Sequence, residues 1–134
     1  LNLEFTLPEV SQTLIITRQE GKTGVPDKEK IRSLAAHQAS MAIYLSAGML
    51  DTLRENLIAG GYSADTPAAL IYKATWPEER SFVCTVDTLP LVAKENHISK
   101  TAMVLVGQVI AHSNYARSRL YAPDFETEYR RKKQ

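Results

Sequence analysis

Five apolar runs of strand length are spaced along the chain: TLIIT (13–17), MAIYL (41–45), AALIY (68–72), SFVCTV (81–86) and AMVLV (102–106). Most are continuous rather than alternating, the pattern of strands covered on both faces. Between them the apolar period lengthens to that of a helix. Ile31, Leu34 and Ala35 share one face of a helix that Asp27 can cap and that runs to about Gln38. Leu50, Leu53 and Leu57 repeat the spacing, and Gly60-Gly61 stop that second helix. Asp87 or Thr88 can cap a third, with Pro90 tolerated in its first turn. Strands alternating with helices predict an α/β fold, with a mixed, mostly parallel five-stranded sheet and helices on both faces. The link KATWPEER (73–80) is too short to hold a helix, so the third and fourth strands are expected to pair antiparallel.

This layout points to where a ligand would sit. In open α/β sheets, ligands bind beyond the carboxyl ends of the strands. Three runs end in small or polar residues, LSAG (45–48), KAT (73–75) and VGQ (106–108). Small side chains let a bulky ligand approach the backbone N–H and C=O groups. Taken singly, Gly48 and Gly107 are equally explained by turns.

Composition narrows the class. A chain of 134 residues, 44% of them hydrophobic, can close one core without disulfide or metal staples. A formal charge of +1 argues against a nucleic-acid partner, which needs a strongly basic face. No apolar run approaches the roughly 20 residues of a membrane span, and no signal-peptide pattern opens the sequence. The single cysteine, Cys84, cannot form an internal disulfide, which fits a reducing, cytoplasmic setting. Its neighbours Phe82, Val83 and Val86 predict a buried thiol. The sequence starts without an initiator methionine, so it is expected to be a piece of something longer.

The familiar catalytic constellations are missing. There is no Gly-x-x-x-x-Gly-Lys phosphate loop, no dinucleotide fingerprint and no Gly-x-Ser-x-Gly elbow. His37, His97 and His112 lack metal-ligand spacing with Cys84 or a carboxylate. No catalytic side chain and no metal site are therefore expected. Two cationic clusters stand out, Arg18 with Lys22, and Arg117 with Arg119. Each is either a solvated face or a site for an anionic ligand, since guanidinium forks grip carboxylates at two points.

Five stretches then acquire a joint meaning: LPEVSQTLIITRQEGKTGVPDKEK (7–30), YLSAGM (44–49), YKATWPEE (72–79), KTAMVLVGQVI (100–110) and YARSRLYAPDFETEYR (115–130). In this order they resemble the C-terminal half of the precorrin-4 and cobalt-precorrin-4 C(11)-methyltransferases, within the tetrapyrrole methylases. The resemblance covers essentially the whole chain. It implies transfer of a methyl group from S-adenosylmethionine (SAM) to ring carbon C-11 of a corrinoid precursor in cobalamin biosynthesis. It also implies two α/β domains with the active site in the cleft between them, and homodimers. Residues 1–134 would then be the C-terminal domain of such an enzyme. The Gly-Asp-Pro loop of the family's N-terminal domain does not occur here, and this piece alone would be inactive. Matching positions assign SAM contacts to Leu45, Ala74, Thr101 and Ala102, with Val106 and Gly107 as further wall residues. Arg18, Arg117 and Arg119 become the expected partners of substrate carboxylates. Two rival readings are a non-catalytic module that self-associates or binds a small molecule, and a methylase acting on another ring position. The tail YARSRLYAPDF speaks against the second of these.

Overall fold

Every apolar run forms a strand within a residue or two of its expected bounds. The computed structural model describes residues 4–44 and 47–112. Its strands are β1 (Leu14–Arg18), β2 (Ser40–Tyr44), β3 (Pro67–Tyr72), β4 (Arg80–Thr85) and β5 (Ala102–Val106). Three α-helices connect them: α1 (Ile31–Ala35), α2 (Leu50–Gly60) and α3 (Leu89–Glu95). Short 3-10 turns occupy Asp27–Glu29, Ala47–Met49 and Gln108–His112.

The strands lie in the order β1-β2-β5-β3-β4. Only β1 and β2 pair in parallel; β2 with β5, β5 with β3, and β3 with β4 are antiparallel. The sheet is thus mixed but mostly antiparallel, a correction to the mostly parallel expectation. Its cause is β5, which enters between β2 and β3 and runs against both. The antiparallel β3–β4 hairpin follows its short link as expected.

The helices also depart from expectation, because all of them cover one face. Ile31 and Ala35 of α1, Leu50, Leu53 and Leu57 of α2, and Leu89 and Ala93 of α3 join one buried cluster with Met41, Ile43, Leu70 and Val104. Topology explains this. The crossovers β1–α1–β2 and β2–α2–β3 advance one way across the sheet, and β4–α3–β5 returns the other way on reversed strands. A half-turn in the sheet plane interconverts the two cases, so a common right hand puts every helix on the same side. The opposite face carries Ala42, Ala69, Ile71 and Leu105, which pack against Val109 and Ile110 and against Phe5 and Leu7. The buried Ser40 hydroxyl donates to the Phe5 carbonyl at 2.8 Å and its N–H to the Ser11 hydroxyl at 3.3 Å, tying that leading segment down.

Local chemistry refines the ends. The first predicted helix breaks into a 3-10 turn and α1, because Lys30 between them is extended at φ −66 and ψ 148, and Asp27 caps neither. Thr88 precedes α3 without capping it; its hydroxyl accepts instead from the Thr85 N–H at 3.0 Å. The Tyr62 hydroxyl, buried below α2, donates to the Ala39 carbonyl at the entrance to β2. Arg54 on α2 holds Asp87, before α3, with two N–H donors at 3.0 and 2.7 Å.

At Gly60 the two helices α1 and α2 lie in close contact. A Cβ there would lie 2.4 Å from the Arg32 carbonyl oxygen and 2.5 Å from the Ala35 Cβ. Alanine would gain about 1 kcal/mol in helix propensity, but overlap with backbone costs more. Gly60→Ala should lower urea-unfolding stability by about 1–2 kcal/mol net. Gly24→Ala, whose Cβ meets only a Glu20 side-chain oxygen at 3.8 Å, should stay near wild type. A Gly60→Ala protein as stable as its parent would contradict this packing.

Candidate functional site

Because β5 runs backwards, one end of the sheet collects ends of both kinds. The carboxyl ends of β1, β2 and β3 meet the amino ends of β4 and β5, through the pairs Arg18–Tyr44, Tyr72–Ala102 and Tyr72–Arg80. A pocket of about 410 Å³ opens at this end. Ala74, Thr101 and Ala102 line it, with Ile71 and Met103 from the helix-free face. Tyr44 and Gly48 close the β2 side, and Lys73, Trp76 and Lys100 stand around the rest.

Three of the predicted donor contacts therefore come together. Thr101 and Ala102 precede a strand, yet they join Ala74, which follows one. Leu45, Arg117 and Arg119 lie outside the described residues. Arg18 is half-buried and pairs with the pocket residue Tyr44 across the β1–β2 ladder, one strand out from the pocket. Val106 and Gly107 are a correction: they sit at the opposite end of the sheet, where the Gly107 N–H donates to the Pro67 carbonyl at 3.0 Å. Gly107 has φ +149, and a Cβ there would lie 3.2 Å from the Ser40 Cα, so it serves a turn and a close approach. Gly48 is different, for its backbone lines the pocket with Ser99 opposite, whose carbonyl a Cβ would meet at 3.4 Å.

The pocket backbone is fixed and strained. The Lys73 N–H donates to the Thr101 carbonyl at 2.8 Å, locking the two loops together. Lys73, Thr75 and Thr101 all have positive φ, at 49°, 71° and 58°. For β-branched threonines this is an uncommon conformation. Such strain costs on the order of 1–3 kcal/mol per residue and gathers at functional sites.

The charge around this pocket is positive. Lys73 and Lys100 line it, and among the described residues no Asp or Glu does. The Lys73 ammonium lies 5.3 Å from the Tyr72 ring centre and 5.2 Å from that of Trp76, a cation held by two aromatic faces. The Arg80 guanidinium stacks 5.0 Å from Tyr72 on the neighbouring strand. At the end of β1, Gln19 buries an amide whose nitrogen and oxygen both lack a hydrogen-bond partner among the described residues. Among the described residues no three His, Cys, Asp or Glu side chains converge in a way that could hold a metal ion.

With this geometry in place, comparison with known proteins is informative. A model of the Tetrapyrrole (Corrin/Porphyrin) Methylases matches residues 1–90. The chain belongs to the tetrapyrrole methylase family. It is 48% identical over 131 residues to the cobalt-precorrin-4 C(11)-methyltransferase of Methanocaldococcus jannaschii, an alignment spanning 98% of this chain and 51% of that one. The precorrin-4 C(11)-methyltransferase of Pseudomonas aeruginosa is 43% identical, over 97% of this chain and 52% of its own length. A solved cobalt precorrin-4 methyltransferase, described as a cobalamin biosynthetic enzyme, superposes with a TM-score of 0.78 at 41% identity. That match covers 81% of this chain and 45% of the other. The uroporphyrin-III C-methyltransferase of Thermus thermophilus, solved with S-adenosylhomocysteine, shares the fold at TM-score 0.67 and 16% identity, over 83% of this chain and 48% of its own. This tetrapyrrole methylase chain spans about half the length of the curated relatives it matches.

Reading the sequence missed Lys73, Trp76 and Lys100 as pocket residues. Lys73 and Trp76 sit inside the quoted stretch YKATWPEE, but a lysine in a hairpin link carries no signal of its own. The thiol, expected to be buried, is half-buried. Cys84 pairs with Ala68 at the far end of the sheet and packs against the helix-side core, and that burial pushes its pKa up from 9.0 to about 12. A neutral thiol in the fold gives a contribution complete below pH 9 and lost as pH rises towards 12. Native chain should therefore resist iodoacetamide at pH 8 until it unfolds, and Cys84→Ala should flatten the loss of stability above pH 9. Rapid labelling of the native chain at pH 8 would contradict the raised pKa.

Proposed function

We propose that residues 1–134 are the C-terminal domain of a SAM-dependent methyltransferase acting on C-11 of precorrin-4 or cobalt-precorrin-4, and that this pocket holds the methyl donor. The observation that carries the reading is the convergence of Ala74, Thr101 and Ala102 on one pocket. It occurs in a chain 48% identical to a cobalt-precorrin-4 C(11)-methyltransferase. A homodimeric, cytoplasmic enzyme is the matching context, and a single cysteine supports the reducing compartment.

The residues present fit such a donor. A volume of about 410 Å³ falls within the usual range for small-molecule sites. Alanines at 74 and 102 keep the wall thin where a purine and ribose would lie against backbone. When bound, SAM supplies an electrophilic methyl group on a sulfonium. The chain's part is to place it. Ile71 and Met103 exclude water from one side, and the Lys73–Thr101 bond keeps the two strand-end loops at fixed separation. Alignment of this kind is worth up to roughly 7–11 kcal/mol of barrier, which leaves little need for an acid–base side chain. Leu45 extends the donor wall in this proposal, and Arg18, Arg117 and Arg119 face the substrate carboxylates. The other wall belongs to an N-terminal domain outside this sequence.

Two measurements test the proposal. With SAM and cobalt-precorrin-4, the 134-residue chain alone should show no turnover, and the chain joined to an N-terminal half should methylate C-11. Turnover by this chain alone would contradict the two-domain reading, and a folded but inert joined enzyme would contradict the methyltransferase reading. In the joined enzyme Ala74→Leu should weaken S-adenosylhomocysteine binding by about tenfold, from roughly 1–3 kcal/mol of overpacking. Unchanged affinity would remove Ala74 from the donor wall.

A further inference from the structure

We propose that Lys73, its ammonium over the Tyr72 and Trp76 rings at the edge of the pocket, is the anchor for a carboxylate of the tetrapyrrole substrate, with the lining residue Lys100 as its companion. The inference rests on the methyltransferase reading and deepens it by assigning the substrate's charge to particular side chains.

The first ground is uncompensated charge. Lys73 is partly buried and makes no ion pair with any described residue, and no described carboxylate lines the pocket. Aromatic faces hold an ammonium but bring no negative charge. The pair of rings therefore orients the cation without neutralising it. In contrast, Lys30 on the far side of the Glu20 loop has acidic partners, at 3.2 Å from Asp27 and 3.7 Å from Glu20.

The second ground is rigidity. The Lys73 N–H is bound to Thr101, its carbonyl accepts from the Trp76 N–H at 2.9 Å, and its φ of 49° sets the direction of the side chain. An anchor needs this, because a long flexible lysine otherwise loses rotamer entropy on binding.

The third ground distinguishes two carboxylates that could occupy the place, that of the substrate and that of the donor's amino-acid end. SAM bears a sulfonium and an ammonium against one carboxylate, so its net charge is positive. At the pocket edge, two lysines that make no ion pair with a described residue therefore match a polyanion better than the donor's single carboxylate. A ring edged with acetates and propionates is a polyanion, and Arg18 at the same end of the sheet extends the cationic row. Trp76, 53% exposed, offers an apolar face beside the charge.

Trp76 is the only tryptophan in the sequence, so it reports binding directly. Uroporphyrin III, a stable tetrapyrrole carrying acetate and propionate groups, should quench its fluorescence saturably at low salt. Affinities, not amplitudes, are compared, since the substitutions alter the ring's surroundings. Lys73→Met should weaken binding by about tenfold, as befits a hydrogen bond to a charged group. Lys73→Arg should stay within about twofold, because the charge is kept. Arg32→Met, beside Gly60 at the opposite end of the helix layer, should bind like the parent. In the joined enzyme Lys73→Met should raise KM for the corrinoid while leaving S-adenosylhomocysteine affinity unchanged. Equal uroporphyrin affinities for parent and Lys73→Met, or no saturable binding by the parent, would overturn the assignment. So would lost S-adenosylhomocysteine affinity with an unchanged corrinoid KM, which would hand Lys73 to the donor. Turnover by the parent enzyme would survive these failures, and its absence would instead count against the methyltransferase reading.

Discussion

The pairing of β5 between β2 and β3 is the constraint on which the rest of this structure depends. Running against both neighbours, the strand satisfies its backbone on two sides. Val104 and Val106 then enter the helix-side core, and Leu105 enters the cluster on the other face. The same reversal places the start of β5 beside the ends of β2 and β3. A parallel insertion would have sent Thr101 and Ala102 to the opposite end of the sheet, where Gly107 now lies. Core and pocket are thus two consequences of one strand's direction.

The asymmetry of the layers follows as well. Crossovers of a common hand put the helices on one side, and the other side is covered by the segment anchored at Ser40 and by the 3-10 turn after β5. That face keeps Ile16 66% exposed and Tyr44 45% exposed. Tyr44, Ile71 and Met103, all on this side, contribute to the pocket. The pocket therefore belongs to the thinly covered face and the strained loops at its end. Lys73 and Thr101, both with positive φ, line the pocket, and Thr75, also with positive φ, sits in the same loop as Lys73. Stored strain there is offset by a core that contains large, fully enclosed side chains such as Leu53, Leu57 and Leu70.

Much of this was legible in the sequence, for identifiable reasons. Continuous apolar runs mark enclosed strands whatever their partners, so every strand among the described residues was found. Strand direction is another matter, because an apolar run carries no record of which neighbour it meets. Only the short link before Arg80 disclosed a direction, since a helix would not fit into it. The break at Lys30 was hidden because its residues are good helix formers and the interruption lies in one extended residue. Ala74 falls in a strand-end stretch that spacing picks out, whereas Thr101–Ala102 were named only through the family motifs. The same spacing argument also picks Val106–Gly107, which lie at the other end of the sheet. Lys73 became visible only once its ammonium was seen against two aromatic rings, without an ion pair to any described residue.

The central claim is that the reversed β5 brings two distant stretches into one donor pocket. Amide NMR of the isotopically labelled chain, joined to its N-terminal half and titrated with S-adenosylhomocysteine, tests this most directly. The account predicts the largest shift changes together at Lys73–Ala74 and at Thr101–Met103, with Gly107 and Pro67-facing amides unmoved. Changes centred on Gly107, or confined to one of the two stretches, would contradict it.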